Sequence, residues 1–156
     1  MKRTSLMLAA LCTLAGPAVA AEPHAHAAPV ADGRAVFELT PAERAMILEE
    51  MRLFLAGVQS MIAALGREDM AAAAAAASGL GQKMVHEVPS ALRAKLPLEF
   101  RQLGFSVHRE FDQIALDAGS LKDPGHTLRQ LSATLQKCVA CHDAYQIRET
   151  GFAATH

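Results

Sequence analysis

The residues best suited to chemistry lie near the C-terminus, in the run Cys138-Val139-Ala140-Cys141-His142. Two cysteines three positions apart share one side of a helical turn, so both thiols can add to the vinyl groups of one porphyrin. The adjacent histidine can offer a ring nitrogen to the iron from one face. The C-x-x-C-H spacing therefore predicts one covalent haem c, with Cys138 and Cys141 as thioether residues and His142 as the proximal iron ligand.

The first twenty residues have the pattern of a secretory signal peptide. Lys2 and Arg3 precede an apolar stretch over residues 6–14, and small residues at 18–20 form a cleavage site after Ala20. The remaining cysteine, Cys12, lies within this segment, so the mature chain keeps only the pair in the motif. The pattern predicts export to the periplasm.

Charge and hydropathy narrow the classes of partner. Cleavage removes Lys2 and Arg3, which leaves 13 basic residues (15 − 2) against 16 acidic ones, a net charge of −3. This balance does not favour nucleic acid, and Arg, Glu and Lys interrupt every apolar run before the roughly 20 residues that span a bilayer. A zinc site is also disfavoured, because no second Cys/His pair of suitable spacing is present.

Periodicity predicts an all-α protein. Residues 21–38 are expected to be a flexible leader, 39–150 the folded domain and 151–156 a tail. Four amphipathic helices are predicted: from Thr40 to Gly66, from near Glu68/Asp69 through the seven alanines towards His86 and Pro89, from Leu98 to Ala118, and from Asp123 until Gly151, with a short helical turn over 90–95. Their short connections predict an antiparallel up-down-up-down four-helix bundle with a C-terminal haem-attachment helix.

This placement of the motif on the last helix resembles the class II c-type cytochromes, which include cytochrome c′ and its low-spin relatives. The specific likeness is Cys138-Val-Ala-Cys141-His142-Asp143-Ala144-Tyr145, which is similar to the C-x-x-C-H-x-x-aromatic run of that family. Gln146 stands where the family usually has a basic residue, with Arg148 two positions further on. The resemblance covers about residues 39–148.

The resemblance implies two alternatives for the second face of the iron. Arg44 with Leu48 resembles the arrangement of five-coordinate members that bind NO or CO, where an apolar side chain covers the iron. Met51, in its apolar ladder, resembles the methionine-ligated electron carriers. Leu48 and Met51 share one helix face, so a small shift in register decides between them. The resemblance also places Arg44 and Tyr145 in the haem pocket.

Two histidines compete with Met51 as the sixth ligand. His108 and His86 lie on the third and second predicted helices, at the end of the bundle where haem is expected. Each is more ordinarily a boundary or solvated histidine, and a methionine in an apolar stripe is ordinarily core filler. Met51 is the favoured distal ligand on the sequence alone, with His108 and His86 as alternatives.

These observations favour a periplasmic monohaem cytochrome that passes single electrons to redox protein partners. No acid/base pair, nucleophile triad or phosphate-binding loop supports an enzyme. A five-coordinate NO/CO-binding protein is the first alternative, and a haem-free dithiol or metal-binding helical protein is the second. Pairing of two copies into a homodimer stays open.

Overall fold

The computed structural model describes residues 32–151, so the predicted signal peptide, most of the predicted leader and the end of the tail lie outside the described residues. The described residues belong to one compact unit. Its elements in chain order are β1 (Ala35–Leu39), α1 (Pro41–Leu65), α2 (Met70–Ser78), α3 (Gln82–Glu87), α4 (Ser90–Lys95), α5 (Leu98–Leu121), α6 (Pro124–Ala144) and β2 (Tyr145–Glu149). The expectation of a mainly helical protein is confirmed.

Helix α1 begins as its sequence predicts. The Thr40 hydroxyl accepts a hydrogen bond from the Glu43 backbone N–H (3.3 Å), and the Glu43 carboxylate accepts one from the Thr40 N–H (3.1 Å). Pro41 occupies the first turn, where a missing N–H costs nothing. This capping box satisfies two backbone donors and fixes the start of the helix.

The second predicted helix is wrong as a single element, because the chain breaks at Gly79–Gly81 into α2 and α3. Asp69 caps α2 by accepting from the Ala72 N–H (3.0 Å). At the break, Asp112 of α5 accepts from the backbone N–H of Gln82 (3.1 Å) and from its side-chain amide (2.9 Å). A Cβ on Gly81 would lie 1.8 Å from Asp112 Oδ1, so only glycine admits this carboxylate.

The later helices follow the predictions except at their ends. The turn over 90–95 is α4, and α5 runs three residues beyond the expected Ala118, to Leu121. Asp123 caps α6 by accepting from the His126 N–H (3.0 Å). The predicted end of this helix at Gly151 is wrong, because α6 ends at Ala144 and residues 145–149 form β2.

A short parallel strand pair was not predicted. Strand β1 pairs with β2 in a register that sets Ala35 opposite Tyr145 and Leu39 opposite Glu149. The expected flexible leader is therefore wrong for residues 35–38. Phe37 and Leu39 supply the apolar side chains that make this pairing stable, since Leu39 is fully buried and contributes to the core with Ile47, Leu92 and Leu96.

The main contacts between helices follow the order of the chain. Helix α2 packs against α1 and α5, and α5 packs against α6, whereas α1 and α6 make little direct contact. The central core contains Met61, Ala77, Leu80, Val107, Phe111, Ile114 and Leu131. Strand β2 joins the end of α6 to the start of α1 instead. Among the described residues, no helix combines the length and apolarity that crossing a bilayer requires.

Candidate functional site

The two motif cysteines extend the buried face of α6. Thr127, Leu131 and Thr134 are buried on that face, and Cys138 and Cys141 continue the same spacing of threes and fours. Both cysteines are free thiols and half-buried. The Cys138 thiol donates to the Thr134 carbonyl at 3.7 Å. The fold therefore places both sulfurs on one side of the last turns of the helix.

Their surroundings keep both groups protonated. Burial raises the pKa of the Cys138 thiol, and the nearby Glu110 carboxylate adds to the effect. Burial also raises the pKa of Cys141, with a further contribution from Cys138. Reactive redox dithiols depend on a lowered thiol pKa. This pair has the opposite character.

His142 lies one position beyond the buried face and is exposed. Its backbone carbonyl accepts a hydrogen bond from Arg34 Nη1 at 3.4 Å, and Arg34 is held in turn by Asp32 at 2.6 Å. A cation at the C-terminal end of a helix offsets the partial negative charge of its free carbonyls. The segment before β1 thus stabilises the helix end that carries the motif.

Tyr145 directly follows the C-terminal end of α6, the motif helix, and packs in an aromatic cluster. Its ring lies 5.5 Å from that of Phe100 on α5 and 6.4 Å from that of Phe37 on β1, and the two phenylalanine rings are 5.0 Å apart. All three pairs meet edge to face, the arrangement that aromatic quadrupoles favour. The cluster fixes the direction in which the chain leaves α6.

Arg44 links the start of α1 to the same end of the molecule. Its guanidinium lies 3.5 Å from the Glu149 carboxylate at the end of β2, with both side chains 37% exposed. Arg44, Leu48, Met51 and Leu55 recur at steps of four, three and four, so they share one flank of α1. Leu48 and Met51 are half-buried, and Leu55 is 72% exposed. This flank is therefore only partly covered by protein.

His108 is not the solvated histidine that the sequence suggested. It is 3% exposed, its Nδ1 lies 2.8 Å from the Leu80 carbonyl oxygen, and its Nε2 lies 3.1 Å from Glu50 Oε1. Its ring also packs against Phe54 at 4.9 Å. Both nitrogens are engaged, which weighs against His108 as an iron ligand. His86 lies in α3, and its side chain falls outside what the structure describes.

The charge state of His108 follows from these contacts. Burial by itself would lower the pKa of His108, but the hydrogen bonds to Glu50 and to the Leu80 carbonyl outweigh it, and the pKa is raised. Because Nδ1 faces a carbonyl oxygen, it carries a proton and donates. A proton on Nε2 then lets the imidazolium donate to the Glu50 carboxylate as well.

Glu50 was not among the site residues predicted from the sequence. A signal was present, because Glu50 falls within the core-facing series of α1 that contains Ile47, Phe54, Val58, Met61 and Leu65. A carboxylate at such a position requires a buried partner. The matching clue is His108, which directly follows the buried Val107 on α5.

Two cavities open between α1 and the chain from α2 to α4. One, of about 250 Å³, is lined by residues including Met46, Glu50, Met84 and Leu92. The other, of about 690 Å³, is lined by residues including Gly57, Ser60, Ala76 and Lys83. Neither is lined by the motif cysteines. Within residues 32–151, no three His, Cys, Asp or Glu side chains cluster as a metal site.

Comparison with known proteins adds no relative. No family model, curated protein or solved structure matches this chain. A functional assignment therefore depends on the residues themselves.

The residues present fit a covalently held haem. Two half-buried thiols share a helix face, an exposed imidazole follows them, and the partly covered apolar flank of α1 belongs to the helix that makes little contact with α6. Gln146 Nε2, next to Tyr145, is buried and has no hydrogen-bond partner among the described residues. An unpaired buried donor is costly, and a propionate carboxylate would satisfy it.

Proposed function

We propose that this chain is a periplasmic monohaem c-type cytochrome that transfers single electrons between redox proteins. The observation that carries the proposal is the pair of half-buried free thiols, Cys138 and Cys141, on one face of α6 with His142 directly after them. Bound there, haem would supply an iron that takes up and releases one electron.

The motif residues would hold the group covalently. Each thiol S–H would add across the double bond of one vinyl group, so that sulfur forms a thioether, hydrogen goes to the other vinyl carbon and nothing leaves. Burial raises the pKa of both thiols, which disfavours the thiolate that disulfide exchange requires and speaks against a redox dithiol. His142 would donate a ring-nitrogen lone pair to the iron.

The architecture that we propose is the up-down-up-down bundle. Helix α1, the broken pair α2 and α3, α5 and α6 would be its four members. Haem between α1 and α6 would supply the packing that these two helices lack with one another. The arrangement would exclude water from the iron and leave one porphyrin edge open to a partner protein.

On the α1 side we propose Met51 as the sixth ligand. A thioether ligand raises the reduction potential and suits an electron carrier. The competing function is NO or CO binding at an open iron under Leu48. Arg44 followed by Leu48 supports this alternative, because that arrangement resembles the five-coordinate members of the class II cytochromes. The Arg44–Glu149 ion pair places Leu48 and Met51 alike near the strand that follows α6.

Mass spectrometry of the full-length chain tests the proposal, with the chain produced in bacteria that have a functional haem-attachment system. We expect a mature protein that lacks residues 1–20 and carries the mass of one haem. Cys138→Ala with Cys141→Ala should carry none, whereas Val139→Ala, within the same motif but 60% exposed, should be loaded normally. An unmodified mature mass would overturn the proposal and favour the haem-free dithiol.

A further inference from the structure

Glu50 is the one charged residue in the core-facing series of α1, and it pairs with His108. Its side chain is 18% exposed and its Oε1 lies 3.1 Å from His108 Nε2. Because both groups are largely withdrawn from water, the hydrogen bond is directional and costly to break. It therefore fixes the rotation of α1 about its own axis relative to α5.

His108 extends this contact to the break between α2 and α3. Its Nδ1 donates to the Leu80 carbonyl oxygen, 2.8 Å away. The Leu80 side chain returns to α1, where a Cβ on Gly57 would lie 2.6 Å from it. These contacts form a chain that runs from Glu50 through His108 and Leu80 to Gly57. The chain of contacts starts and ends on α1, at two positions that are two turns apart.

This chain of contacts sets the rotation of α1. That helix carries Leu48 and Met51, the two candidates for the side chain on the second face of the iron. Around an α-helix, Met51 lies about 100° from Glu50 and Leu48 about 160° from it in the same sense. The two side chains are therefore about 60° apart on the flank. A modest rotation of α1 would exchange one for the other.

We propose that Glu50 and His108 are positioning residues that lock the rotation of α1 and thereby hold a single side chain of its flank over the iron. This inference rests on the proposed function and adds a determinant of its coordination state. Neither residue touches the iron. Their effect would be transmitted through the backbone of α1.

The central variants are Glu50→Leu and His108→Leu in the haem-loaded protein. Each removes the hydrogen bond while keeping the side chain bulky, and we expect a second coordination state in about a tenth or more of the molecules. Low-temperature electron paramagnetic resonance of the ferric protein separates high-spin from low-spin iron. Wild type should give one state.

Glu50→Gln is the conservative rescue. A glutamine accepts from a protonated His108 through Oε1 or donates to a neutral one through Nε2, so the link survives in either state. This variant should keep the single wild-type spectrum. Glu49→Leu is the matched control, since Glu49 is exposed and, within residues 32–151, its ion pair is with Arg52 on its own helix.

Glu50→Asp keeps the charges and shortens the side chain by one methylene, which provides a milder variant should the leucine substitutions not fold. It should broaden or shift the wild-type signal through the displacement of α1. Haem-loaded Glu50→Leu or Glu50→Asp protein with the wild-type spectrum would overturn the inference and leave the cytochrome assignment intact. A wild-type chain that acquires no haem would overturn both.

Discussion

Arg44, in the first turn of α1, lies 3.5 Å from Glu149, at the end of the strand that follows the motif helix. This ion pair joins two segments from opposite ends of the described chain. It sets the Arg44–Leu48–Met51 flank of α1 at the same end of the molecule as Cys138, Cys141 and His142. As an exposed pair it contributes little stability, on the order of 0–1 kcal/mol, so its value is as a marker of proximity.

The visible spectrum of the reduced, haem-loaded protein should show which side chain of that flank lies over the iron. With Met51 as ligand, the visible spectrum should be low-spin and unchanged by CO. Met51→Ala should become high-spin and respond to CO, while Leu48→Ala should stay low-spin. A wild-type spectrum that is high-spin and shifts with CO would instead favour an open iron site under Leu48.

Gly81→Ala should destabilise the protein by about 1–3 kcal/mol, because the new Cβ would displace the Asp112 carboxylate that caps α3. Gly79→Ala is the control within the same break. Its φ of −65° suits alanine and the nearest backbone oxygen lies 3.5 Å away, so it should be neutral or stabilising by about 0.4–1 kcal/mol. Urea unfolding measures both, and equal losses would refute the steric explanation.

Leu39→Ala tests whether β1 is part of the folded unit. Leu39 is 1% exposed in a cluster with Ile47 and Leu92, so its truncation should cost about 2–5 kcal/mol. Val36→Ala, on the same strand but 43% exposed, should change the free energy of unfolding by less than about 0.5 kcal/mol. A negligible loss for Leu39→Ala would restore the view of residues 35–38 as a flexible leader.

Acid should weaken the protein partly through Asp117. The Gln130 side-chain amide donates to its carboxylate, Gln113 and His126 lie against it as well, and the pKa of Asp117 is lowered. A lowered folded-state pKa gives stability that is present above the unfolded value and lost as pH falls through the folded one. Asp117→Asn should therefore lose less stability than wild type between about pH 5 and about pH 3. Parallel losses in denaturant titrations would contradict this.

Local sequence was sufficient for the helix starts. Thr40 with Glu43 and Asp123 cap as predicted, and Asp69 caps α2 within the predicted start at Glu68/Asp69, because a cap involves only residues within one turn. It was insufficient for the end of α6. The switch to strand at Tyr145 depends on Phe37 and Phe100, which are distant in the chain and contribute no local signal.

The candidate site was likewise predictable from the sequence only in part. The motif Cys138-x-x-Cys141-His142 by itself determined the expected chemistry, because the reach of two thiols and one imidazole is set within a single turn. Only the tertiary structure showed that β1 and β2 bring α1 to that end of α6. It also showed that Glu50 and His108 pair in the core, since a buried carboxylate's partner is chosen by three-dimensional packing and not by spacing along the chain.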